Sequence, residues 1–413
     1  MQLMGIDIGS TSIKAGFFSP EGKLLALGRK ETPLESYPLP DGGTIAVWQP
    51  QRLWEGAAAS IRQAIAELGE TADIRGVAVT GFGSDTVPLD RNGEELFPFI
   101  SFYEKATIEQ RDAYMELMED FESYSIAGIC PWYYLTLFKL LYVRKYFPGV
   151  YGKAAVWLNV PDYINYKLCG VTATDYSEAS TTIAFDQSTL TWSDTVLEKT
   201  GIGKEHLPEP MPAGTVLGNI TPEAARQTGL PENTAVVLGG HDNVTSCFAA
   251  SSGNNDVVTV TGTFESIMID QDAPVITRRG MEANLVSEKG VAEGRHVLIG
   301  VQYAGGIIEW IRKTLFSSEC ETNESLFAGI EKTGPGSNGL MMLPHIFGSI
   351  TPVQDVYSRG CFTGISDKVT RADFLRAAVE GINYQTRHIY ETLTEAAGIA
   401  KQEILNIGGA VYS

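Results

Sequence analysis

Runs of apolar residues divide the first part of the chain into short strands and one long helix. Residues 2–8 and 13–18 are separated by a turn of small residues, and a third run follows at 24–27, which predicts strand, turn, strand, turn, strand. Residues 50–69 then place apolar side chains at helical spacing: Leu53, Trp54, Ala57, Ile61, Ile65 and Leu68. An apolar run at 77–79 predicts the next strand. Strands that alternate with helices indicate the α/β class.

The second part of the chain repeats this beginning. Residues 257–269 have the pattern of strand, small-residue turn and strand that residues 4–18 have, which indicates a duplicated core. A helix is predicted after Thr370, a capping residue that has Asp373 in the first turn behind it. Its apolar face would hold Leu375, Val379, Ile382, Ile389 and Leu393. A strand at 404–407 and a glycine turn follow.

Composition and charge narrow the possible functions. The 413 residues, 44% hydrophobic and 20% charged, are typical of a globular protein with two domains. The net charge is −19 and no dense Lys/Arg cluster occurs, which argues against a nucleic-acid or anionic-membrane partner. The start has no signal-peptide pattern and no run of 18 apolar residues follows, so we expect a cytoplasmic protein. The five scattered cysteines and five histidines show no zinc-binding spacing.

The first turn could bind a polyphosphate. Asp7 lies at the end of the first strand and is followed by Gly9, Ser10 and Thr11, whose N–H groups and hydroxyls can face phosphate oxygens. In that arrangement Asp7 would hold Mg²⁺ through water. Lys14, in the next strand, would point at phosphate or at solvent. The alternative is that the segment is an ordinary hairpin turn.

Two further positions could carry chemistry. The turn Thr261, Gly262, Thr263 offers the same kind of hydroxyls and N–H groups, and its alternative is a plain turn. Asp242 follows two glycines at the end of an apolar strand, where α/β proteins present catalytic side chains. Its carboxylate could take the proton of an attacking hydroxyl, or it could cap the helix that follows. We interpret His241 as a core residue.

Taken in order along the whole chain, these residues resemble the FGGY family of carbohydrate kinases. Residues 7–14 are similar to the family's first phosphate motif, residues 240–242 to its catalytic-base motif and residues 261–263 to its second phosphate motif. The segment from Gly360 to Glu380 is similar to its C-terminal signature.

The resemblance implies a fold and a set of site residues. The fold would be the two-lobed actin-like ATPase (ribonuclease H-like) α/β fold, with a duplicated core and a cleft between the lobes. Residues 1–243 would form a sugar- and phosphate-binding domain, and residues 244–413 a nucleotide-binding domain. ATP and Mg²⁺ would be the cofactors. The implied site residues are Asp242 as catalytic base and substrate contact, Ser84 and Asp85 for the sugar, Asp7 for the metal, and Gly9, Ser10, Thr11, Lys14, Thr261, Gly262, Thr263, Gly306, Gly409 and Ala410 for the nucleotide and its phosphates.

The implied activity is phosphorylation of a hydroxyl of a small sugar by ATP, with a ketose such as L-fuculose as acceptor. The alternatives are a xylulose-, ribulose- or glycerol-type kinase of the same family, or a catalytically silent relative that binds a sugar or nucleotide. Family members continue past the glycine turn at 408–410, whereas this chain stops at Ser413. We therefore expect an incomplete adenine side, and association into a homodimer through the uncovered surface.

Overall fold

A computed structural model shows how these strands and helices assemble. It describes residues 1–40, 42–69, 73–251, 256–316, 323–327, 329–400 and 403–409. They form two compact units, Met1–Thr245 with Glu288–Arg295, and Ser246–Ser287 with His296–Ser413. The domain boundary predicted after residue 243 stays a prediction.

The strands and helices follow one another as an α/β sequence. The strands are β1 Gln2–Ile8, β2 Ser12–Phe18, β3 Leu24–Glu31, β4 Glu35–Pro38, β5 Thr44–Trp48, β6 Ile74–Gly81, β7 Thr86–Leu89, β8 Phe99–Ile100, β9 Val156–Asn159, β10 Ala173–Asp175, β11 Phe185–Asp186, β12 Thr191–Trp192, β13 Glu209–Met211, β14 Val216–Asn219, β15 Ala235–His241, β16 Val257–Thr261, β17 Phe264–Gln271, β18 Val286–Lys289, β19 His296–Tyr303, β20 Met341–Leu343, β21 Cys361–Thr363 and β22 Ile404–Gly408. The helices are α1 Pro50–Leu68, α2 Ile108–Leu117, α3 Asp120–Ala127, α4 Thr136–Tyr146, α5 Pro148–Tyr151, α6 Val160–Cys169, α7 Tyr176–Ser180, α8 Asp194–Thr200, α9 Pro222–Thr228, α10 Asp242–Ala250, α11 Arg278–Glu282, α12 Gly305–Leu315, α13 Asn323–Phe327 and α14 Arg371–Ala397.

The first unit is built on a six-stranded sheet with the order β14-β15-β6-β1-β2-β3. β15, β6 and β1 are parallel, whereas β2 and β3 continue the sheet in antiparallel fashion. The helix predicted over 50–69 is confirmed as α1, which has a proline at its first position and buries Leu53, Trp54, Ala57 and Ile61. These side chains join the strand residues in one apolar core.

The second unit has a five-stranded sheet with the order β18-β19-β17-β16-β22. β16, β17 and β19 are antiparallel neighbours, and β22 joins β16 in parallel after a long helix. This is the arrangement of β1, β2, β3 and β6 in the first unit. The duplicated core predicted from the sequence pattern is therefore confirmed.

α14 supports the second sheet and begins as the sequence predicts. The Thr370 hydroxyl accepts from the Asp373 N–H while the Asp373 carboxylate accepts from the Thr370 N–H, which makes a capping box. On the predicted apolar face, Leu375, Ile389 and Leu393 are almost fully buried. Through the described part of the chain, none of the helices combines the length and apolar character that crossing a membrane requires.

Candidate active site

Parallel strands of the first unit end side by side at one edge of its sheet. Asp7 in β1 and Gly240 in β15 are both paired with Thr80 in β6, whose hydroxyl donates to the Gly240 carbonyl oxygen at 2.6 Å. Asp242 follows two residues after Gly240. The carboxyl ends of parallel strands are where α/β folds present catalytic side chains. The sheet therefore brings two predicted site residues, Asp7 and Asp242, to the same edge.

The turn after β1 is held by hydrogen bonds on both sides of Gly9. The Gly9 N–H donates to the Ser12 carbonyl oxygen at 3.2 Å, and the Gly9 carbonyl oxygen accepts from the Thr32 hydroxyl at 2.7 Å. Ser10 is partly buried and Thr11 is exposed. The hydroxyl of Thr11 is thus accessible to a ligand that approaches the turn.

The Lys14 side chain forms an ion pair beside the turn. It is paired with Asp7 across the β1–β2 hairpin, and its Nζ lies 2.9 Å from Asp7 Oδ2. Both side chains keep more than a third of their exposure. A cation and a carboxylate therefore lie together beside the turn that is predicted to bind phosphate.

Asp242 is the first residue of α10 and directly follows β15. Its position therefore fits both alternatives from the sequence, a residue at the start of the helix and a side chain presented at the end of the strand. Burial raises the pKa of Asp242 to about 6; the neighbouring His241 opposes this shift, while Asp7 and Glu288 add to it. At neutral pH the carboxylate is ionised but more basic than an ordinary aspartate. Those are the properties of a general base.

His241 links Asp242 to a residue that the sequence analysis missed. His241 Nδ1 lies 2.9 Å from Glu288 Oε2, and His241 Nε2 lies 3.5 Å from Asp242 Oδ1. Burial alone would lower the pKa of His241, but Glu288, Asp242 and Glu178 raise it to about 10. The ring is therefore an imidazolium at neutral pH. Nothing in the local sequence around Glu288 indicates this contact.

Further acidic residues lie buried in the first unit near His241. Burial raises the pKa of Asp175 to about 6, and it raises the pKa values of Asp162 and Glu178 well above their ordinary range. Glu178 Oε1 and Asp162 Oδ2 are buried, and neither has a hydrogen-bond partner among the residues that the structure describes. The sequence analysis did not single out these acids, because isolated Asp and Glu residues show no pattern in one sequence.

Ser84 and Asp85 occupy a turn just after β6. Asp85 is fully buried, and its carboxylate accepts from Lys139 Nζ, from Trp48 Nε1 at 2.7 Å and from the Phe102 N–H at 3.2 Å. Lys139 Nζ also donates to the Ser84 carbonyl oxygen at 2.9 Å. Burial raises the pKa of Asp85 and lowers that of Lys139, while their contact opposes both shifts. Direct contact of Asp85 with a sugar stays a prediction.

In the second unit, the turn after β16 is joined to the start of α12. The N–H groups of Ala304 and Gly306 donate to the Thr263 carbonyl oxygen, each at 3.1 Å, and the Gly305 N–H donates to Gly262 at 3.0 Å. Gly262 and Thr263 are exposed. The structure therefore brings together the turn Thr261, Gly262, Thr263 and the predicted nucleotide residue Gly306.

A buried carboxylate stands behind this turn. Glu265 Oε1 accepts from Thr261 Oγ1 at 3.0 Å, and Glu265 Oε2 accepts from Gln302 Nε2 at 2.6 Å and Thr386 Oγ1 at 2.5 Å. Gly408 lies opposite Thr261 in the parallel pair of β16 and β22, which places the adjacent Gly409 near the same turn. Ala410 lies outside the described residues.

The predicted C-terminal signature stabilises the second unit. β21, at its start, pairs with β20. Farther along, Asp373 Oδ1 accepts from Asn338 Nδ2 at 2.8 Å, and Glu380 accepts from the Gly336 N–H at 3.1 Å and the Ser337 hydroxyl at 3.0 Å. These contacts bind the 336–338 turn to α14.

A metal at Asp7 agrees with the donor chemistry of the turn. Mg²⁺ keeps several waters and is bound in proteins through one or two carboxylates, and Asp7 supplies one that is partly exposed. Within the described ranges, no group of three or more His, Cys, Asp or Glu side chains is arranged to hold a metal ion.

Two family models match nearly the whole chain. The FGGY family of carbohydrate kinases, N-terminal domain, matches residues 2–249, and the C-terminal domain of the same family matches residues 257–413. An L-fuculokinase of Escherichia coli is 28% identical over 412 residues, which cover 98% of this chain and 84% of that protein. A xylulose kinase of Bacillus subtilis is 26% identical over 417 residues, with 98% and 80% covered.

A solved structure agrees with these sequence matches. The xylulose kinase from Rhodospirillum rubrum aligns with a TM-score of 0.88 and 26% identity, covering 100% of this chain and 83% of that one. The actin-like ATPase fold that the resemblance implies is thereby confirmed.

Proposed function

The chain belongs to the FGGY family of carbohydrate kinases, which transfer phosphate from ATP to a sugar hydroxyl, and we propose that its acceptor is a small ketose such as L-fuculose. The observation that carries the catalytic part is the placement of Asp7 and Asp242 at one sheet edge. The similarity to L-fuculokinase over 98% of the chain supports the acceptor.

Asp242 acts as the base in this proposal. Its carboxylate takes the proton of the sugar hydroxyl while the oxygen forms a bond to the γ-phosphorus and the bond to the ADP oxygen breaks. A carboxylate whose pKa is raised to about 6 is ionised at pH 7 and is a stronger base than an ordinary aspartate. Because the surrounding carboxylates raise the pKa of His241 to about 10, its ring already carries both protons at neutral pH and is not the acceptor in this proposal.

The phosphates bind the two small-residue turns. In the first unit, Asp7 would hold Mg²⁺ through water, and the metal supplies neutralisation of phosphate charge. The phosphate and nucleotide contacts in the proposal are Gly9, Ser10, Thr11 and Lys14 in the first unit, and Thr261, Gly262, Thr263, Gly306, Gly409 and Ala410 in the second. The exposed Thr11, Gly262 and Thr263 support these assignments.

Ser84 and Asp85 belong to the sugar side of the site. Both are proposed as sugar contacts, and the Asp85 carboxylate also accepts from Trp48 Nε1 and from the N–H of Phe102, which is only partly buried. Because loop residues of this kind distinguish one hydroxyl arrangement from another, the choice between L-fuculose and other ketoses depends on this region.

An ADP-release assay across a panel of acceptors tests the proposal. The panel comprises L-fuculose, D-xylulose, D-ribulose, glycerol and gluconate, each with Mg-ATP, and Asp242→Asn serves as the control for contaminating kinases. We expect turnover with L-fuculose to exceed that with the other acceptors. Preference for another acceptor would assign the chain to a different branch of the family. Absence of any sugar-dependent ADP release would favour the silent binding relative.

A further inference from the structure

The segment Glu288–Arg295 belongs to the first unit, although it follows most of that unit by more than forty residues in the sequence. It brings the Glu288 carboxylate to 2.9 Å from His241 Nδ1. The Glu288 side chain is 5% exposed and the His241 side chain 13%. The contact is thus almost fully shielded from water. A hydrogen bond between charged groups is stronger in such a buried environment than at the surface.

His241 is fixed from its backbone as well as from its ring. Its N–H donates to Ser177 Oγ at 2.9 Å, and Ser177 Oγ donates to Asp175 Oδ2 at 2.7 Å. The ring nitrogen that does not contact Glu288 faces Asp242 Oδ1 at 3.5 Å. Which nitrogen of a histidine faces a partner is decided by the hydrogen bond that the other nitrogen makes. Glu288 therefore decides how the ring faces Asp242.

The fit of the segment against the end of β15 is tight. A Cβ atom added at Gly240 would lie 2.5 Å from Val291 Cγ1 and 2.9 Å from Ser177 Oγ. A Cβ at this position would therefore force the Val291 or Ser177 side chain to move. Gly240 thus permits the segment that carries Glu288 to pack directly beside the proposed base.

We infer that Glu288 is a positioning residue for phosphoryl transfer, which holds the His241 ring as a fixed cation facing the carboxylate of Asp242. The inference rests on the proposed function, since it assigns Asp242 as the base. The titratable groups that face His241 are Glu288, Asp242, Glu178 and Asp175, all of them acidic. Glu288 makes the direct ring contact, so it contributes most to the fixed charge.

The test combines kinetics with nitrogen NMR of the intact protein. Glu288→Gln keeps the side-chain shape but removes the charge, and Glu293→Gln makes the same change on an exposed residue of the same segment. His241 signals are assigned by their loss in His241→Asn. We expect both ring nitrogens to be protonated at pH 8 in the wild type and in Glu293→Gln. In Glu288→Gln the pKa of His241 should fall by roughly 1–3 units.

The kinetic arm separates positioning from a merely structural role. Turnover of Glu288→Gln should fall about 10- to 100-fold, with the KM for ATP unchanged. Glu293→Gln should match the wild type. Unchanged turnover in a folded Glu288→Gln would overturn the inference, as would a neutral His241 ring at pH 8 in the wild type. If Glu288→Gln does not fold, the protonation state of His241 in the wild-type spectrum still tests the inference. If no acceptor is phosphorylated by the wild type, the proposed function fails independently of the spectrum.

Discussion

In each unit a hairpin lies beside a parallel strand, but the residues that are paired across the two hairpins differ in charge. In the first unit the cross-strand pair near the turn is Asp7 with Lys14, and in the second it is Thr261 with Glu265. The first pair is ionic and partly exposed. In the second, Glu265 turns inward to hydroxyl and amide donors. One backbone arrangement thus supports two kinds of chemistry.

The difference follows from what each hairpin would bind in the proposed reaction. Metal binding and proton transfer need carboxylates that can reach a ligand, as Asp7 and Asp242 can. An exposed carboxylate without a cation beside it would repel phosphate, so the second turn, which has no counterpart of Lys14, would bind the ligand through neutral donors. Glu265 is almost buried, while Gly262 and Thr263 remain exposed. The ion pairs of the first unit and the hydrogen bonds from neutral donors to Glu265 in the second should therefore respond differently to substitution.

The largest effect is expected where the first unit buries an ion pair. Lys139→Met leaves the Asp85 carboxylate buried without its cation, which should lower the free energy of unfolding by about 3–5 kcal/mol. Lys145→Met, in the same helix, removes an exposed ion pair with Glu109 and should leave the free energy of unfolding nearly unchanged. Urea denaturation of both variants measures the contrast. Equal losses would show that burial of the Asp85–Lys139 pair has no special cost.

Loss of the proposed base should affect catalysis and not folding. Asp242→Asn removes the proton acceptor while keeping the side-chain shape, so turnover should fall by roughly 10²-fold or more with little change in sugar affinity. Asp194→Asn changes an 81% exposed aspartate in the same way and should leave turnover intact. Steady-state kinetics and calorimetric sugar titration check both. Turnover of Asp242→Asn within a few-fold of the wild type would contradict the assignment.

The raised pKa of Asp242 predicts an acid limb in the pH profile. A base with a pKa of about 6 is active above that pH and is lost as protons bind below it. The value of kcat/KM should therefore fall about tenfold between pH 7 and pH 5. An ordinary aspartate would keep its activity to near pH 4. A profile that is flat down to pH 4.5 would show that burial and Asp7 do not raise this pKa.

The hydrogen bond from Thr261 to Glu265 in the second unit should contribute less to stability than the buried ion pair of the first unit. Thr261→Val removes one donor from Glu265 but leaves Gln302 and Thr386 in place, so the free energy of unfolding should fall by about 1 kcal/mol. Thr263→Val alters an exposed side chain in the same turn and should leave stability unchanged. Thermal denaturation of the two variants provides the comparison. A loss comparable with that of Lys139→Met would contradict the distinction between the units.

Local patterns were sufficient for the two core hairpins and for two of the helices that pack on them. Apolar periodicity predicted α1 and the face of α14, and the capping pattern predicted where α14 begins. The two small-residue turns and Asp242 were predicted because glycines and acids at strand ends form short, recognisable motifs. Such features depend on neighbours along the chain.

Contacts between distant segments could not be predicted in this way. The partner of Asp85 lies 54 residues away, in α4, and the partner of His241 lies 47 residues away. A single Glu or Lys has no local pattern that specifies which buried group it will meet. The orientation of Lys14 was also left open, because strand alternation gives the face of a side chain but not the group that it contacts.

The smallest effect on stability is expected for Lys14, whose ion pair is partly exposed. A substitution of Lys14 therefore tests how far the cost of losing an ion pair depends on burial, as in Lys139. Lys14 and Asp7 keep 44% and 35% of their side-chain exposure, so water screens their attraction, and Lys14→Met should cost about 0–1 kcal/mol of unfolding free energy. If Lys14 contacts phosphate, its loss should weaken Mg-ADP binding about fivefold, which corresponds to about 1 kcal/mol. Lys30→Met, on an exposed position of β3, is the matched control and should change neither quantity. Calorimetric titration with Mg-ADP and urea denaturation measure the two effects. Unchanged affinity in Lys14→Met would assign the ion pair to the hairpin alone, whereas a stability loss of several kcal/mol would make Lys14 a structural cation like Lys139.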